Sequence, residues 1–563
     1  YGGRLASVID VRMKEGNRKR WAGSGGIGLL ASRLTLEGPL DKAGKGSILL
    51  SGRRTYFDLL LGLVDGPAEK RILNFHDASV KLNYELGDKD RIYVSAYTGR
   101  DNFGSEFDFS GEGTTRDAFN WGNRTLTARW NRQLGNRAFL NVTAIGADFD
   151  FEVENEEIVR DTLYALRYRS KIDNVGLSAD VDWFLSPQHS VRMGGGALRH
   201  NFDLGTLARQ QAEEPFQQAD QAVTATEYHV YLEDEFTPSP RLRINAGLRA
   251  TLFQPTDGTE TFSSLEPRLN VSYRPGVATT FKAAAGFARQ YLHLLSNSGP
   301  GLPTSLWVPA TERTPPQSGW QFALGAAYQP TDSKWSSSLE FYYRTIDNLI
   351  GYDNGATFLL LDVFDSPDNV QRLDILDNVT TGDGRAYGTE LAVHYRTSTL
   401  TVNLAYTLAR VDHRLWNVND FAYFPANQDR RHDLNLNGSW RFHPRLTLGF
   451  AWMYGSGVPT TLPIGIFNSP TLPGSTNSLN QLNIYAGRNG YRMPAVHRLD
   501  LSLRWRRSPR WGEAFWEIGV YNAYARANPF FLRTGRGGAG GQRTVFQTAL
   551  FPIVPSVAYS FKF

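Results

Sequence analysis

From about Gly26 to Phe563, apolar residues recur at every second position, in runs separated by two kinds of break. Val175, Leu177, Ala179, Val181 and Trp183 alternate with Gly176, Ser178, Asp180 and Asp182; a turn at 186–189 follows, then Val191, Met193 and Gly195. Tyr228, Val230 and Leu232 lead through Thr237-Pro238-Ser239-Pro240 into Leu242, Ile244, Ala246 and Leu248. Leu391, Val393 and Tyr395 are joined near 396–399 to Leu400, Val402, Leu404 and Tyr406, and Leu434, Leu436, Trp440 and Phe442 pass through His443-Pro444 to Leu446, Leu448, Phe450 and Trp452. Period-2 runs with proline kept to the turns are strands, because a proline inside a ladder removes a donor. Further short turns are expected near 38–46, 87–90, 133–136, 275–276, 330–334 and 508–513. Long segments lie between them, at roughly 58–77, 101–120, 150–164, 204–226, 252–266, 289–318, 346–384, 412–430, 456–496 and 525–545, with a tight first connection expected at 23–25.

Short turns alternating with long loops are the signature of a transmembrane β-barrel. The expected fold is all-β: an antiparallel barrel of about 22 strands, each near the ~9–11 residues that a tilted spanning strand needs, with short periplasmic turns and long extracellular loops. Trp130, Trp183, Phe236, Tyr273, Tyr328, Tyr395, Phe442, Trp505 and Trp511 all lie within a few residues of a short turn, which places an aromatic girdle at that interface. A soluble propeller would repeat blades of about 40–45 residues without the short–long asymmetry.

Composition narrows the picture further. Length alone suggests several soluble domains, but aromatics reach 13%, mean hydropathy is −0.37, and no 18-residue apolar run exists. Helical membrane spans are therefore excluded, whereas a barrel hides its signal because only half of each strand faces lipid. A net charge of +4, from 60 basic and 56 acidic residues spread along the chain, does not argue for nucleic acid. The absence of cysteine excludes disulfides and thiolate metal sites. The opening Tyr1-Gly2-Gly3-Arg4 carries no signal peptide and reads as a processed or partial piece.

Two ends of the chain carry a resemblance. Val557, Tyr559, Phe561 and Phe563 alternate up to the final residue. This resembles the terminal strand of bacterial outer-membrane proteins and implies a barrel-assembly signal at Tyr559, Phe561 and Phe563. Residues 1–12, reading YGGRLASVIDVR, resemble the last plug strand of TonB-dependent receptors, particularly the Bacteroidota-type group. Segments 33–40, 51–56, 429–433, 487–499, 521–528 and 551–555 resemble further stretches of that group, in order along the chain. The resemblance implies residues 1–17 as the tail of a plug and 18–563 as the barrel. It also implies that Arg4, Arg12, Lys14 and Glu15 pair with charges on the lumenal wall. The implied function is uptake of a nutrient ligand through a plugged barrel in the outer membrane of a Gram-negative bacterium, with no enzymatic activity. The implied partners are outer-membrane lipid, the TonB complex acting through N-terminal parts beyond this chain, and a surface lipoprotein or lid protein. A passive porin, or a barrel serving as a structural or partner-binding subunit, are the alternatives; sequence upstream of Tyr1 would separate them.

Other motifs weigh less. Residues 23–28 (GSGGIG) lack the helix and the Lys-Ser/Thr of a phosphate loop and read as a glycine-permitted hairpin. Arg430-Arg431-His432-Asp433 runs straight into a strand, so its charges face the lumen or pair with neighbours, and residues 455–457 lack nucleophile-elbow spacing. The ten histidines form no His-x-x-x-His pair. Asp148, Asp150, Glu152 and Glu154 place four carboxylates on one strand face, toward the lumen or an extended outer wall. Calcium is the one ion such a row would take, without EF-hand spacing, and no other cofactor is expected. Trp307, and Trp416, Phe421, Tyr423 and Phe424, sit on long segments as candidate ligand contacts, with loop packing or a partner protein as the alternative. The sequence does not identify the ligand.

Overall fold

The computed structural model describes residues 2–58, 69–108, 113–159, 162–211, 217–219, 222–256, 260–295, 305–353, 378–468, 481–536, 543–549 and 551–563. Tyr1 and parts of the predicted long segments lie outside them. Twenty-two antiparallel strands form one closed barrel. The first, Ala22–Gly28, pairs on one side with Ala31–Pro39 and on the other with the last, Val554–Lys562, so the barrel has no open edge. At the seam, Gly23 and Phe563 exchange backbone hydrogen bonds of 3.1 and 2.9 Å.

Register sorts the side chains into two faces. In the strand Leu400–Leu415, the residues Leu400, Val402, Leu404, Tyr406 and Leu408 share one face, and cross-strand pairing carries that face to Trp440, Leu436 and Leu434. The opposite face carries Asn403, whose Nδ2 donates to Asn437 Oδ1 at 2.9 Å. The same split on Thr162–Phe184 puts Val175 and Leu177, 64% and 58% exposed, on the outer face. The outer face is the lipid-facing belt and the inner face lines the lumen.

The expected first turn at 23–25 is a strand instead. A side chain at Gly23 or Gly25 would meet the ring of Phe563 at 2.4 Å or Phe561 at 2.6 Å. These glycines therefore leave room for the terminal aromatics to lie across the seam, and the chain reverses only at residues 29 and 30. Tyr559, Phe561 and Phe563 form a continuous outer aromatic row, extended by Trp511 and Trp516.

The expected segments 101–120 and 150–164 are also largely strand. Gly113–Leu134 and Ala138–Val159 run for 22 residues each, and Thr162–Phe184 and His189–Gln211 for 23. At ~3.3 Å per residue this is roughly 70 Å of strand, far more than a membrane requires. The acidic row lies on the outer face of this tall wall, in register with Arg124 and Asp173. Each carboxylate has an arginine partner: Asp148 with Arg124 and Asp150 with Arg100, both at 2.9 Å, and Glu152 and Glu154 with Arg167. The alternation persists here, but charged residues replace apolar ones on the outside because that side meets water.

Candidate functional site

The N-terminal tail runs inside the barrel. Gly3 donates its backbone N–H to Glu266 Oε2 at 3.4 Å, and Leu5 donates to Gln290 Oε1 at 3.2 Å. Both acceptors are at lumenal positions. Glu266 is fully buried, and its other oxygen accepts from the hydroxyls of Thr251 and Ser264, each at 3.0 Å. Beside it, Arg249 donates to Glu227 Oε1 at 3.2 Å and to Thr251 Oγ1 at 3.3 Å. Gly2 is packed so closely that a Cβ there would lie 2.3 Å from the Arg249 side chain. Solvent reaches Arg4 through the lumen, yet the wall surrounds it. That enclosure holds its guanidinium below its ordinary value, with Glu227 opposing the shift and Arg249 adding to it.

Lower down, the tail follows the periplasmic rim. Lys14 pairs with Glu37 at 2.7 Å, Lys81 Nζ donates to the Met13 carbonyl at 2.7 Å, and Arg18 pairs with Glu85 at 2.6 Å. Glu15 lies 4.0 Å from Arg18, and Arg12 pairs with Asp10 of the tail itself at 2.9 Å. Gly16 sits beneath the Ile48 carbonyl, 2.2 Å from where a Cβ would be. Between the tail and the wall is a cavity of about 280 Å³ lined by Arg4, Glu266, Arg268, Gln321 and Arg344.

A hairpin of two short strands, Leu292–Leu295 and Leu306–Pro309, packs inward. Leu292, Leu295, Leu306 and Val308 are buried against Tyr168, Phe202, Leu204, Phe253 and Tyr352. Those contacts come from well-separated strands, so the hairpin bridges the upper lumen. Trp307 packs on the rim of this cluster. His293 is fully buried in the hairpin and donates from Nε2 to the Thr314 carbonyl at 3.2 Å. Burial lowers its pKa to about 4, against a smaller opposing effect of that hydrogen bond. The packed hairpin therefore refuses a proton that an open one accepts below its ordinary value. Stabilisation is complete above pH 6.5 and falls as pH drops toward 4, by about 3 kcal/mol in all. Amide exchange in 292–295 and 306–309, corrected for intrinsic rates, is expected to accelerate between pH 7.5 and 4.5, and His293→Phe to remove that dependence.

A second structured region ties the outer loops together. Arg488 donates to the carbonyls of Tyr352 and Asp353 at 2.7 and 3.1 Å, and its backbone N–H donates to Asn419 Oδ1 at 2.7 Å. Asn489 donates to the Pro425 carbonyl and to Asn427 at 2.8 and 2.6 Å. Arg492 donates to Asp429 Oδ2 at 2.5 Å and to the Gly457 carbonyl at 2.7 Å. Asp429 is fully buried and also accepts from the Val411 N–H at 2.9 Å. Arg430 pairs with Asp433 at 3.1 Å, and His432 Nδ1 meets the Tyr406 hydroxyl at 2.9 Å. The Asp-Arg-Arg-His-Asp run is thus a loop anchor, with its charges spent on neighbours. The Gly-Arg-Asn-Gly-Tyr-Arg segment at 487–492 is its counterpart.

The expected aromatic contacts do not form one cluster. Phe424 turns inward, in edge contact with His413 and packed with Leu415 and Val418. Trp416, Phe421 and Tyr423 lie on the other side. Trp416 stacks on Phe421 at 3.9 Å, and Tyr423 covers Arg385 at 4.2 Å and Arg414 at 4.7 Å. Arg385 and Arg414 share the outer face with Tyr387 and Leu408. Sequence reading missed Glu227, Arg249, Glu266 and Gln290. At inward positions they look like any other polar lining, and nothing local marks them as partners of residues some 220 to 290 positions away.

A family profile described as TonB dependent receptor-like, beta-barrel, matches residues 68–523. The chain belongs to this family. It is accordingly a bacterial outer-membrane barrel of a receptor and transporter family. No curated protein sequence matches it. Among solved structures, the ferripyoverdine receptor of Pseudomonas aeruginosa is 12% identical with a TM-score of 0.66, the match covering 98% of this chain and 72% of that one. The FrpB iron transporter of Neisseria meningitidis is 14% identical, with a TM-score of 0.61 and coverage of 97% and 82%. The ferric-catecholate import receptor Fiu of E. coli K12 is 12% identical, with a TM-score of 0.63 and coverage of 98% and 82%. At such identities the likeness to this receptor barrel is one of fold.

Proposed function

We propose that this chain forms the wall, the mouth and the hinge of an energy-coupled receptor that takes up a nutrient ligand across the outer membrane. An iron chelate is the ligand class best supported. The observation that carries the reading is the tail held inside the lumen at Gly3 and Leu5 by Glu266 and Gln290. A barrel of this size has a lumen too wide for side chains to fill, so it needs an internal element whose attachment can be released. The tail is the last strand of a plug, and residues 6–17 lead it down to the rim where the first barrel strand begins. The TonB complex supplies the pull that displaces the plug. The likeness of fold to the ferripyoverdine and ferric-catecholate receptors supports the choice of ligand class.

The test is uptake of radio-iron, presented on a panel of ferric siderophores, by cells that express the full protein. Uptake of at least one chelate is expected, and it should vanish on deletion of TonB or on collapse of the proton gradient. Uptake that persists in both conditions would assign a passive pore. Iron-independent growth coupled to binding of a sugar or peptide would overturn the ligand class while leaving the transport reading in place.

A further inference from the structure

Two cavities on the lumenal wall meet at Lys562, which lines both. The upper one, of about 620 Å³, lies over the seam between the first and last strands and runs from Gly28 and Ala31, beside the outer turn, down to Lys562. The lower one, of about 770 Å³, continues from Lys562 and Phe563 to Lys14 and Arg20 at the periplasmic rim. The strand Ala22–Gly28 is only seven residues long, so the two cavities together span the wall from the mouth to the periplasm. We infer that they form a groove along which an anionic solute leaves the lumen, and that this solute is the iron chelate. The choice of solute rests on the uptake function proposed above. A ferric ion surrounded by six oxyanion donors carries net negative charge.

The space exists because side chains there are small. Pairing puts Gly23, Gly25 and Ile27 on the lipid side with Phe563, Phe561 and Tyr559. It therefore turns Ser24, Gly26 and Gly28 inward, beside Lys562, Ser560 and Ala558. Larger residues stand at the flanks. Arg33 and Arg53 face each other across the next two strands, and Arg504 and Phe515 stand on the other side. A volume of this size suits a small-molecule ligand. The tail docks elsewhere. Its contacts at Glu266 and Gln290 are on Phe262–Tyr273 and Thr279–Gln290, the twelfth and thirteenth of the twenty-two strands in chain order. That is half-way round the barrel from the seam.

Charge gives the groove its sign. Every acidic side chain that lines it is spent on a base. Glu517 pairs with Arg504 and Glu37 with Lys14, both at 2.7 Å, Glu513 pairs with Arg506, and Glu15 lies 4.0 Å from Arg18. Arg53 is likewise matched, by Asp77 at 2.6 Å. Arg33, Lys562, Arg20 and Arg510 are left over. Among the described residues none of these four makes an ion pair, and they are spread from the upper cavity to the rim. Arg33 also stands directly opposite Arg53. Like charges so placed repel, and an anion between them relieves the repulsion. Unpaired cations in a low-dielectric cleft raise the local concentration of anions. Several weak sites in series let an ion enter without trapping it.

The test uses the protein's lack of cysteine. Ser560→Cys places one thiol on the floor of the groove in the full protein, reconstituted into phosphatidylcholine vesicles. It is treated with a sulfonate-bearing and with a quaternary-ammonium methanethiosulfonate, each rate being normalised to that of free cysteine. The sulfonate is expected to react about five-fold faster or more, and the preference to vanish when Arg33→Gln and Lys562→Gln are added. Equal normalised rates, a preference that survives both substitutions, or a thiol that neither reagent reaches because protein fills the groove would each overturn the proposal. This measurement needs no transport. Should no iron chelate enter cells at all, the ligand class falls while the thiol rates still decide the groove. For the chelate itself, Arg33→Glu with Lys562→Glu should lower the maximal rate of radio-iron uptake several-fold and leave the half-saturating concentration unchanged, because capture at the mouth comes before the groove. An unchanged maximal rate would mean that the chelate leaves by another route. Heat-modifiable migration shows that each variant still closes as a barrel.

Discussion

Glu227→Ala will release the tail from the wall while leaving the barrel closed. Glu227 and Arg249 are paired at 3.2 Å with side chains only 7% and 10% exposed. Removing the carboxylate leaves the Arg249 guanidinium desolvated without the anion it donates to, and it also withdraws the anion facing Arg4. Breaking one partner of such a buried pair costs about 3–5 kcal/mol. That cost falls on the tail, because the wall itself is held by two continuous backbone ladders on either side of Glu227, to Leu198 and to Phe253. A single cysteine at Ser7, in a chain that has none, is expected to react with a membrane-impermeant maleimide many times faster in the Glu227→Ala background. Sensitivity of cells to large antibiotics should rise with it. Glu227→Gln should fall between the two, since an amide still accepts from Arg249. Unchanged labelling in the alanine variant would mean that Glu227 does not hold the tail.

The second large effect is expected at Asp429. Its carboxylate is fully buried and accepts from Arg492 at 2.5 Å and from the Val411 N–H at 2.9 Å, with Arg431 at 3.5 Å. Asp429→Ala leaves Arg492, 36% exposed, without its anion and the Val411 N–H without its acceptor, a penalty of about 1–3 kcal/mol. The penalty is local. Hydrogen exchange in 418–430 and 487–493 should approach that of exposed loops, and limited proteolysis should cut there first. Strands on the far side, such as Gly113–Leu134, should keep their protection. Ligand binding at the mouth should weaken by tenfold or more if these loops shape the site, and Asp429→Asn should recover part of the loss. Protection that is unchanged would show that the Gly-Arg-Asn-Gly-Tyr-Arg segment is held by Arg488 and Asn489 alone.

Several features of this molecule could be read without coordinates. Val175 to Trp183 and Leu400 to Leu408 announce a lipid-facing belt, because a strand that meets lipid must place apolar side chains at every second position whatever its neighbours do. The final Val557–Phe563 alternation likewise marks the closing strand. Where the outer face turns from apolar to charged, the same alternation stops looking like a strand, and so the tall wall across 101–120 and 150–164 was expected to be loop. The glycines at 23 and 25 misled for the opposite reason. Glycine is needed both where a chain turns and where a large ring must lie against a backbone, and only the pairing of Ala22–Gly28 with Val554–Lys562 shows which need is met.

What the chain determined by itself is therefore the barrel, its strand number and its orientation, which rest on local periodicity and on the placement of turns, and its family, which rests on the resemblance of short motifs spread along the chain. What only the tertiary structure decided is who meets whom across the lumen and on which side of the wall a ring lies. Gly3 finds Glu266 across 263 positions, and Arg488 finds Asn419 across 69. Such partners are set by closure of the sheet and by how far each strand is shifted against the next. Which residue stands opposite which across two strands depends on that shift, and no local pattern in the sequence records it.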